Sequence, residues 1–340
     1  MTSSNATVVV MGARGRLGLE VVRAFAAAGW QVRATLRPGG LLPAQAPAGV
    51  QWVALDVTDH AATRRVAEGA RVVVHAMNPG RYTAAAWRAE APALLLAALE
   101  ATRHAGALLL FPGNVYNYGP ELPRRLDART PQRATTGKGQ VRVALEQQLA
   151  QVVTAQGLHA VVIRAGDFFG SGRGTWVDQV IAKRLAQGRV TWPGPLEVAH
   201  AWAYLPDLAQ AFVRVAQATP RCLPGTLEDL PFAGHTVTGQ DWVQALQVAA
   251  APQGQPLRVG TLPWGLMRLA APLSAMVASL VEMRYLWQRP HALDGLALAQ
   301  RVGPLPHTPF VQAVEAAVHA AQLLSAERPR GGAPAHPVEA

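Results

Sequence analysis

In 340 residues the chain has one cysteine, Cys222, and two lysines, Lys138 and Lys183. A single thiol excludes an intrachain disulfide and a cysteine-based zinc site, and it fits a reducing compartment, so a cytoplasmic location is expected. Six serines occur and none lies in Gly-x-Ser-x-Gly, which excludes a serine-hydrolase elbow. The lack of a Gly-Lys-Ser/Thr loop sets kinases and NTPases aside. Ten histidines are spread without an i, i+4 pair or the acidic spacing of a metal site, so no metal is expected. Among them His200, in Ala199-His200-Ala201-Trp202, is worth following, with a structural role weighed above a catalytic one. Long apolar runs are also missing. The longest, Leu262 to Val281, contains Arg268 and two prolines and falls short of a clean span of about 20 residues, so stable membrane insertion is not expected and peripheral contact is the lesser alternative. The opening MTSSNATVVV has no basic segment before its apolar run and does not read as a signal peptide.

Charge is sparse, at 15% of residues, while half are hydrophobic, which rules out disorder for most of the length. Lys+Arg exceeds Asp+Glu by 31 to 21, and the excess is almost all arginine. These arginines stand singly or in pairs, as at Arg14, Arg16, Arg64, Arg65, Arg124 and Arg125. They are not interleaved with aromatics, and no helix-turn-helix or zinc-finger spacing appears. Nucleic acid is therefore not an expected partner, and small anionic ligands are.

At roughly 150 residues per domain the length suits about two domains. Apolar runs near 7–11, 31–36, 51–54, 71–76, 107–111 and 159–163 alternate with helical patterns near 16–28, 60–68, 84–104 and 139–156. Repeated βα units of this kind predict an α/β fold, a doubly wound parallel sheet of the Rossmann type. Thr7 to Met11 is apolar almost throughout and should be a central strand covered on both faces. After Gly166 the pattern loosens, with helices near 176–187, 207–217 and 240–250 and a long one near 264–286. The expected division is a dinucleotide-binding domain over 1–165, to which 199–219 returns, and a smaller, mainly helical substrate or lid domain over 166–325. The Pro-, Gly- and Ala-rich end, 326–340, is expected to be a disordered tail.

The first strand leads directly into Met11-Gly12-Ala13-Arg14-Gly15-Arg16-Leu17-Gly18, which opens a helix. Gly12 permits the tight turn, Gly15 lets backbone N–H groups approach a pyrophosphate, and Gly18 lets the helix pack closely on the sheet. A tight turn without ligand is the plainer alternative. The end of the second strand discriminates between cofactors, since a carboxylate there binds a ribose 2′-hydroxyl whereas an arginine suits a 2′-phosphate. It reads Thr35-Leu36-Arg37 with no acidic residue near, and Arg14 supplies a second guanidinium. NADP(H) is favoured, with NAD(H) as the alternative; an ordinary solvated role is the plain reading of Arg37.

These features resemble the short-chain dehydrogenase/reductase superfamily, in the atypical form of its extended, epimerase/dehydratase-like branch, over roughly 1–325. The resemblance includes Leu55-Asp56-Val57-Thr58-Asp59, where the family's acidic residue contacts adenine, and His75-Ala76-Met77-Asn78, which borders the cofactor ribose. It implies cofactor contacts at Asp56, Val57, Ala76, Met77 and Asn78 besides the glycine turn. Arg164 to Gly170 and Ala203 to Ala209 resemble later landmarks of the family, with Asp207 as a helix cap.

The family uses Ser or Thr after the fifth strand and Tyr-x-x-x-Lys on the next helix, and this sequence departs from that set. Counting back from Tyr118-Gly119 puts Asn114 at the serine position. Anchoring the helix on Glu146 puts Lys138 at the tyrosine position and Arg142 at the lysine position. One helical turn separates 138 from 142, so both can face a nicotinamide. A like-charged neighbour lowers an amine's pKa, which would let Lys138 donate a proton near neutrality while Asn114 orients a carbonyl. With equal weight, Lys138 and Arg142 only clamp ribose or an anionic ligand. Tyr116 and Tyr118, and Tyr204 on another segment, are candidate phenols near substrate, with packing the more ordinary role. Asp167 stands where family members place a neutral Asn near substrate phosphates. A carboxylate there repels a pyrophosphate and suits a hydroxyl or amine, or else it caps the following turn. The late aromatics and methionines, Trp264, Met267, Met276, Met283, Tyr285 and Trp287, read as core or subunit packing, with an apolar substrate lid as the sharper alternative. The expected function is NADP(H)-dependent hydride transfer on a small or apolar carbonyl or alcohol. The alternatives are a non-catalytic NADP(H)-binding sensor and an NAD-dependent sugar epimerase or dehydratase. The expected partner is a small-molecule substrate, and a homodimer is admitted.

Overall fold

The computed structural model describes residues 6–323 other than 45, 221–224, 252, 253 and 255; Cys222 and the expected tail, 326–340, lie outside the described residues. The first half runs β1 (Thr7–Met11), α1 (Arg16–Ala27), β2 (Gln31–Leu36), β3 (Gln51–Ala54), α2 (His60–Ala67), β4 (Val72–His75), α3 (Ala84–Ala105), β5 (Leu108–Gly113), β6 (Arg125–Leu126), α4 (Gly137–Gln156) and β7 (His159–Arg164). β1 is buried along its whole length. Its side chains alternate between two cores: Val9 and Met11 pack with α3 and α4 residues such as Leu95 and Leu149, while Val8 and Val10 pack with Val21 and Phe25 of α1. An uninterrupted apolar strand is what two covered faces require.

The second half continues through β8 (Asp167–Phe169), β9 (Arg189–Trp192), β10 (His200–Tyr204), α5 (Leu205–Ala218), β11 (Thr226–Pro231), β12 (His235–Val237), α6 (Gly239–Ala250), β13 (Arg258–Thr261), α7 (Trp264–Ala270), α8 (Ala275–Glu282), β14 (Ala292–Leu293), α9 (Leu296–Val302) and α10 (Phe310–Ala320). The main sheet is seven-stranded and parallel, in the order β11-β7-β5-β4-β1-β2-β3. β11 lies in the half assigned from sequence to the substrate domain, yet it completes this sheet, pairing Asp229 with Val162 and Pro231 with Arg164 of β7. α5 likewise covers the first sheet, its Leu208 and Phe212 packing with α1, while β10 joins a separate three-stranded sheet between β8 and β12. A third core, rich in Trp176, Trp192, Trp242 and Trp287, holds the C-terminal region together.

Two expected helices are broken. Over 176–187 only a π-helical turn at Val177–Ile181 and a 3-10 turn at Leu185–Gln187 form, because the chain doubles back through Gly188 so that Arg184 bridges Arg189. The long helix of 264–286 ends at Ala270, where Pro272 has no N–H to continue it, and restarts behind Ser274, whose hydroxyl accepts from Val277 N. Among the described residues no helix is long and apolar enough to cross a membrane. The strand order reverses direction between β1 and β4, so the connections that leave their paired C-terminal ends run to opposite sides and leave a crevice above the sheet.

Candidate active site

The glycine turn sits in that crevice. Gly12 has φ +84°, and a Cβ built on it would lie 2.5 Å from the Ala76 carbonyl oxygen, so only glycine fits between β1 and the end of β4. A Cβ on Gly18 would lie 2.4 Å from the Gly12 carbonyl oxygen, which keeps α1 close to the turn. Gly15 is the N-cap of α1, no side chain caps it, and no acidic residue stands in the first turn. The N-terminal N–H groups of α1 are thus left for an anion, and the residues present fit a dinucleotide pyrophosphate.

Gly15, Arg16, Leu17, Ala76, Met77 and Asn78 line one cleft with Asn114 and Arg142, and Trp87 and Phe168 form its aromatic walls. Arg16 also donates to the Arg173 carbonyl at 2.9 Å, tying the turn to the segment after β8. Arg14 and Arg37 stay outside this cleft and are exposed. Arg37 reaches the Asn78 carbonyl at 3.5 Å, and the Arg14 guanidinium approaches the turn that closes at Gly40. Both therefore border the turn after β2, where a carboxylate is absent. Asp56 is exposed and turned onto its own loop, accepting from Thr58 N at 2.9 Å and Thr58 Oγ1 at 2.7 Å; these bonds hold its pKa below the usual carboxylate value. Val57 packs against the core under α3.

Asn114, Lys138 and Arg142 do not share one wall. Asn114 and Arg142 face the cleft, whereas Lys138 lies deeper, fully buried, its Nζ 3.0 Å from the centroid of the Tyr82 ring and without a hydrogen-bond partner among the described residues. Burial pushes the Lys138 amine down to about 6, with Glu282 and Asp167 pulling the other way. The lowering expected from Arg142 is thus supplied by desolvation instead. Arg142 itself falls to about 10, first through burial, and it donates to the Pro112 carbonyl while lying over the Phe111 ring at 4.9 Å.

Asn114 accepts from Tyr116 N through Oδ1 at 3.0 Å, and its carbonyl accepts from Arg164 at 2.8 Å. Arg164 is wholly buried between Glu146, at 2.7 Å, and Asp229, at 2.5 Å. Gln132 adds a bond to Glu146 at 2.7 Å and is itself held by Asn117 at 3.0 Å. Burial raises the Glu146 carboxyl, but Arg164 beside it more than offsets this and holds it low. The ionic trio therefore fixes the backbone that presents Asn114. Sequence reasoning used Arg164 and Glu146 only as landmarks and missed Asp229, since partners 65 residues apart leave no local pattern.

Tyr116 is buried and shares a hydrogen bond of 2.7 Å with the hydroxyl of Tyr82, a residue that the sequence reading passed over. Burial raises both phenols well above their ordinary value. Asp167 does not cap the turn after it. Its Oδ2 pairs with His200 Nε2 at 2.9 Å, while Oδ1 has no partner among the described residues. His200 also reaches the Leu286 carbonyl through Nδ1 at 3.1 Å and stacks on Trp287 at 4.5 Å. Tyr204 packs on Phe169 at 5.3 Å and lies against Gly170, away from the cleft. Asp207 does not cap α5 either: Tyr204 is the N-cap position, and the Asp207 carboxylate accepts instead from Thr308 N and Oγ1, at 2.7 and 2.8 Å.

The family model described as NAD dependent epimerase/dehydratase family matches residues 8–224, well over half of the chain. This chain belongs to that family. A search of curated proteins finds no match. Among solved structures, UDP-glucose 4-epimerase of Thermotoga maritima with UDP-glucose superposes with a TM-score of 0.70 at 15% identity, covering 92% of this chain and 98% of that one. WbmH of Bordetella bronchiseptica in complex with NAD+ gives 0.69 at 17% identity, with coverage of 93% and 98%. UDP-glucose 4-epimerase of Bifidobacterium longum with NAD+ and UDP gives 0.69 at 17% identity, with coverage of 93% and 98%. At these identities the likeness is one of fold, a Rossmann sheet with a helical C-terminal region.

Proposed function

We propose that this member of the family is an oxidoreductase that prefers NADP(H) and moves hydride to or from a small or apolar carbonyl or alcohol, with Lys138, sunk behind the cleft wall, as the buried reservoir of its proton. The carrying observation is the state of Lys138, an unpartnered and fully buried amine with its pKa near 6, one helical turn from the cleft residue Arg142. An amine so poised exchanges protons close to neutrality. The nicotinamide, when bound, supplies or accepts the hydride. Asn114, clamped from behind by Arg164, orients the carbonyl, and Arg142 adds positive charge where an alkoxide develops. The preference for the 2′-phosphate rests on Arg14 and Arg37 beside β2. The buried Asp167 disfavours a nucleotide-sugar diphosphate and favours an uncharged substrate.

Lys138→Ala tests the reading. Turnover of a carbonyl panel with NADPH should disappear while NADPH affinity stays within a few-fold. Undiminished turnover in the variant removes Lys138 from the mechanism. Tight NADPH binding by the unaltered protein, with no oxidation across the panel, assigns it to the non-catalytic sensors instead.

A further inference from the structure

We propose that Asp207, His235 and His307 form a binding site for a divalent transition-metal ion of the zinc class, apart from the dinucleotide crevice. Spacing along the chain gives no hint of it, because the three residues come from the first turn of α5, from β12 and from the segment between α9 and α10. The fold brings one ligand atom from each within 4.8 Å of the others. The two imidazoles lie 4.5 Å apart, centroid to centroid. His235 is buried, at 4% exposure, and lies beside the exposed His307. A cation held jointly by Asp207, His235 and His307 would use donor atoms that the fold has already gathered from three separate elements.

The donor set suits this assignment. Two imidazole nitrogens and one carboxylate oxygen are zinc ligands, and three protein ligands leave a fourth position open, here on the side of the exposed His307. Thr308 fixes the carboxylate through both its N–H and its hydroxyl, which leaves further lone pairs on the oxygens for a metal. Phe169 and Phe310 flank His235 at 5.9 and 5.4 Å and supply an apolar wall. Tetrahedral bonds of about 2.0–2.1 Å require the ligand atoms to draw in by roughly an ångström. The exposed His307 ring can make that movement. An ion held here would fasten the segment leading into α10, which packs on α6, to α5 and β12.

The test uses the full chain without a histidine tag, dialysed against EDTA and titrated with zinc chloride in competition with a chromophoric chelator. One zinc ion per chain is expected, together with a rise in melting temperature and, on cobalt(II) substitution, the visible absorption of a tetrahedral site. His307→Ala alters an exposed residue and should keep the fold, but it should weaken binding at least a hundredfold and abolish the thermal shift. His235→Ala serves as the second variant. Absence of stoichiometric binding by the unaltered chain overturns the proposal, and so does zinc binding that survives in both variants.

Discussion

Replacing Lys138 by methionine probes the electrostatics of the site directly, because the two side chains have similar length and only one carries a proton. The unfolded chain holds the lysine proton up to pH 10.5, while the native protein releases it near pH 6. Between those values the unfolded state binds one proton more, so stability falls as the pH is lowered from 10.5 toward 6 and then levels off. Each pH unit is worth about 1.4 kcal/mol, which makes the full span roughly 6 kcal/mol and the cost at pH 7 roughly 5 kcal/mol. Lys138→Met should therefore be more stable than the unaltered protein at pH 7 by up to roughly 5 kcal/mol. Urea denaturation from pH 6.5 to 9.5 reads the difference. The gap between the two proteins should narrow as pH rises, by about 1.4 kcal/mol per unit. A gap that is independent of pH means that Lys138 stays charged in the native protein, and the proton-transfer role falls with it.

Arg37→Ala should weaken NADPH binding about tenfold, the worth of one charge-assisted hydrogen bond, and leave NADH unaffected; equal losses for both cofactors, measured by calorimetry, would contradict the 2′-phosphate contact. Arg164→Leu strands Glu146 and Asp229 without their shared cation and should cost about 3–5 kcal/mol in urea denaturation. A loss below about 1 kcal/mol would show that the trio does not hold the native backbone together. His75 is buried, and burial pushes it down to about 4. The unfolded chain takes up that proton as pH falls below 6.5 and the native protein resists until about 4, so stability drops across this window. His75→Leu should flatten the drop, and an unchanged acid limb in thermal melts would mean that the imidazole is charged in the native state.

The sheet was legible because its determinants are local. A strand such as Thr7–Met11 announces itself by five buried positions in a row, and the glycine turn by a spacing that only close backbone approach explains. The breaks in the late helix were legible in part, through Pro272, but the doubling back at Gly188 depends on a bridge between Arg184 and Arg189 that periodicity does not encode. The site was harder to read for a different reason. Position counting placed Lys138 and Arg142 one turn apart and read them as facing one site, yet one turn also separates a residue lining the cleft from one sunk against Tyr82. The depth of a side chain depends on what the neighbouring elements put above it, here Tyr82 from the approach to α3 and Tyr116 from the loop after β5. The same limit explains the cause of the lowered amine: sequence shows the adjacent guanidinium, whereas the removal of water, which is what lowers it, exists only in the folded chain. Where a family's catalytic residues have been replaced, matching positions in the sequence locates the new side chains but leaves their protonation open. At this site burial decides that protonation, and the pH dependence of the Lys138→Met difference is the quantity through which it can be measured.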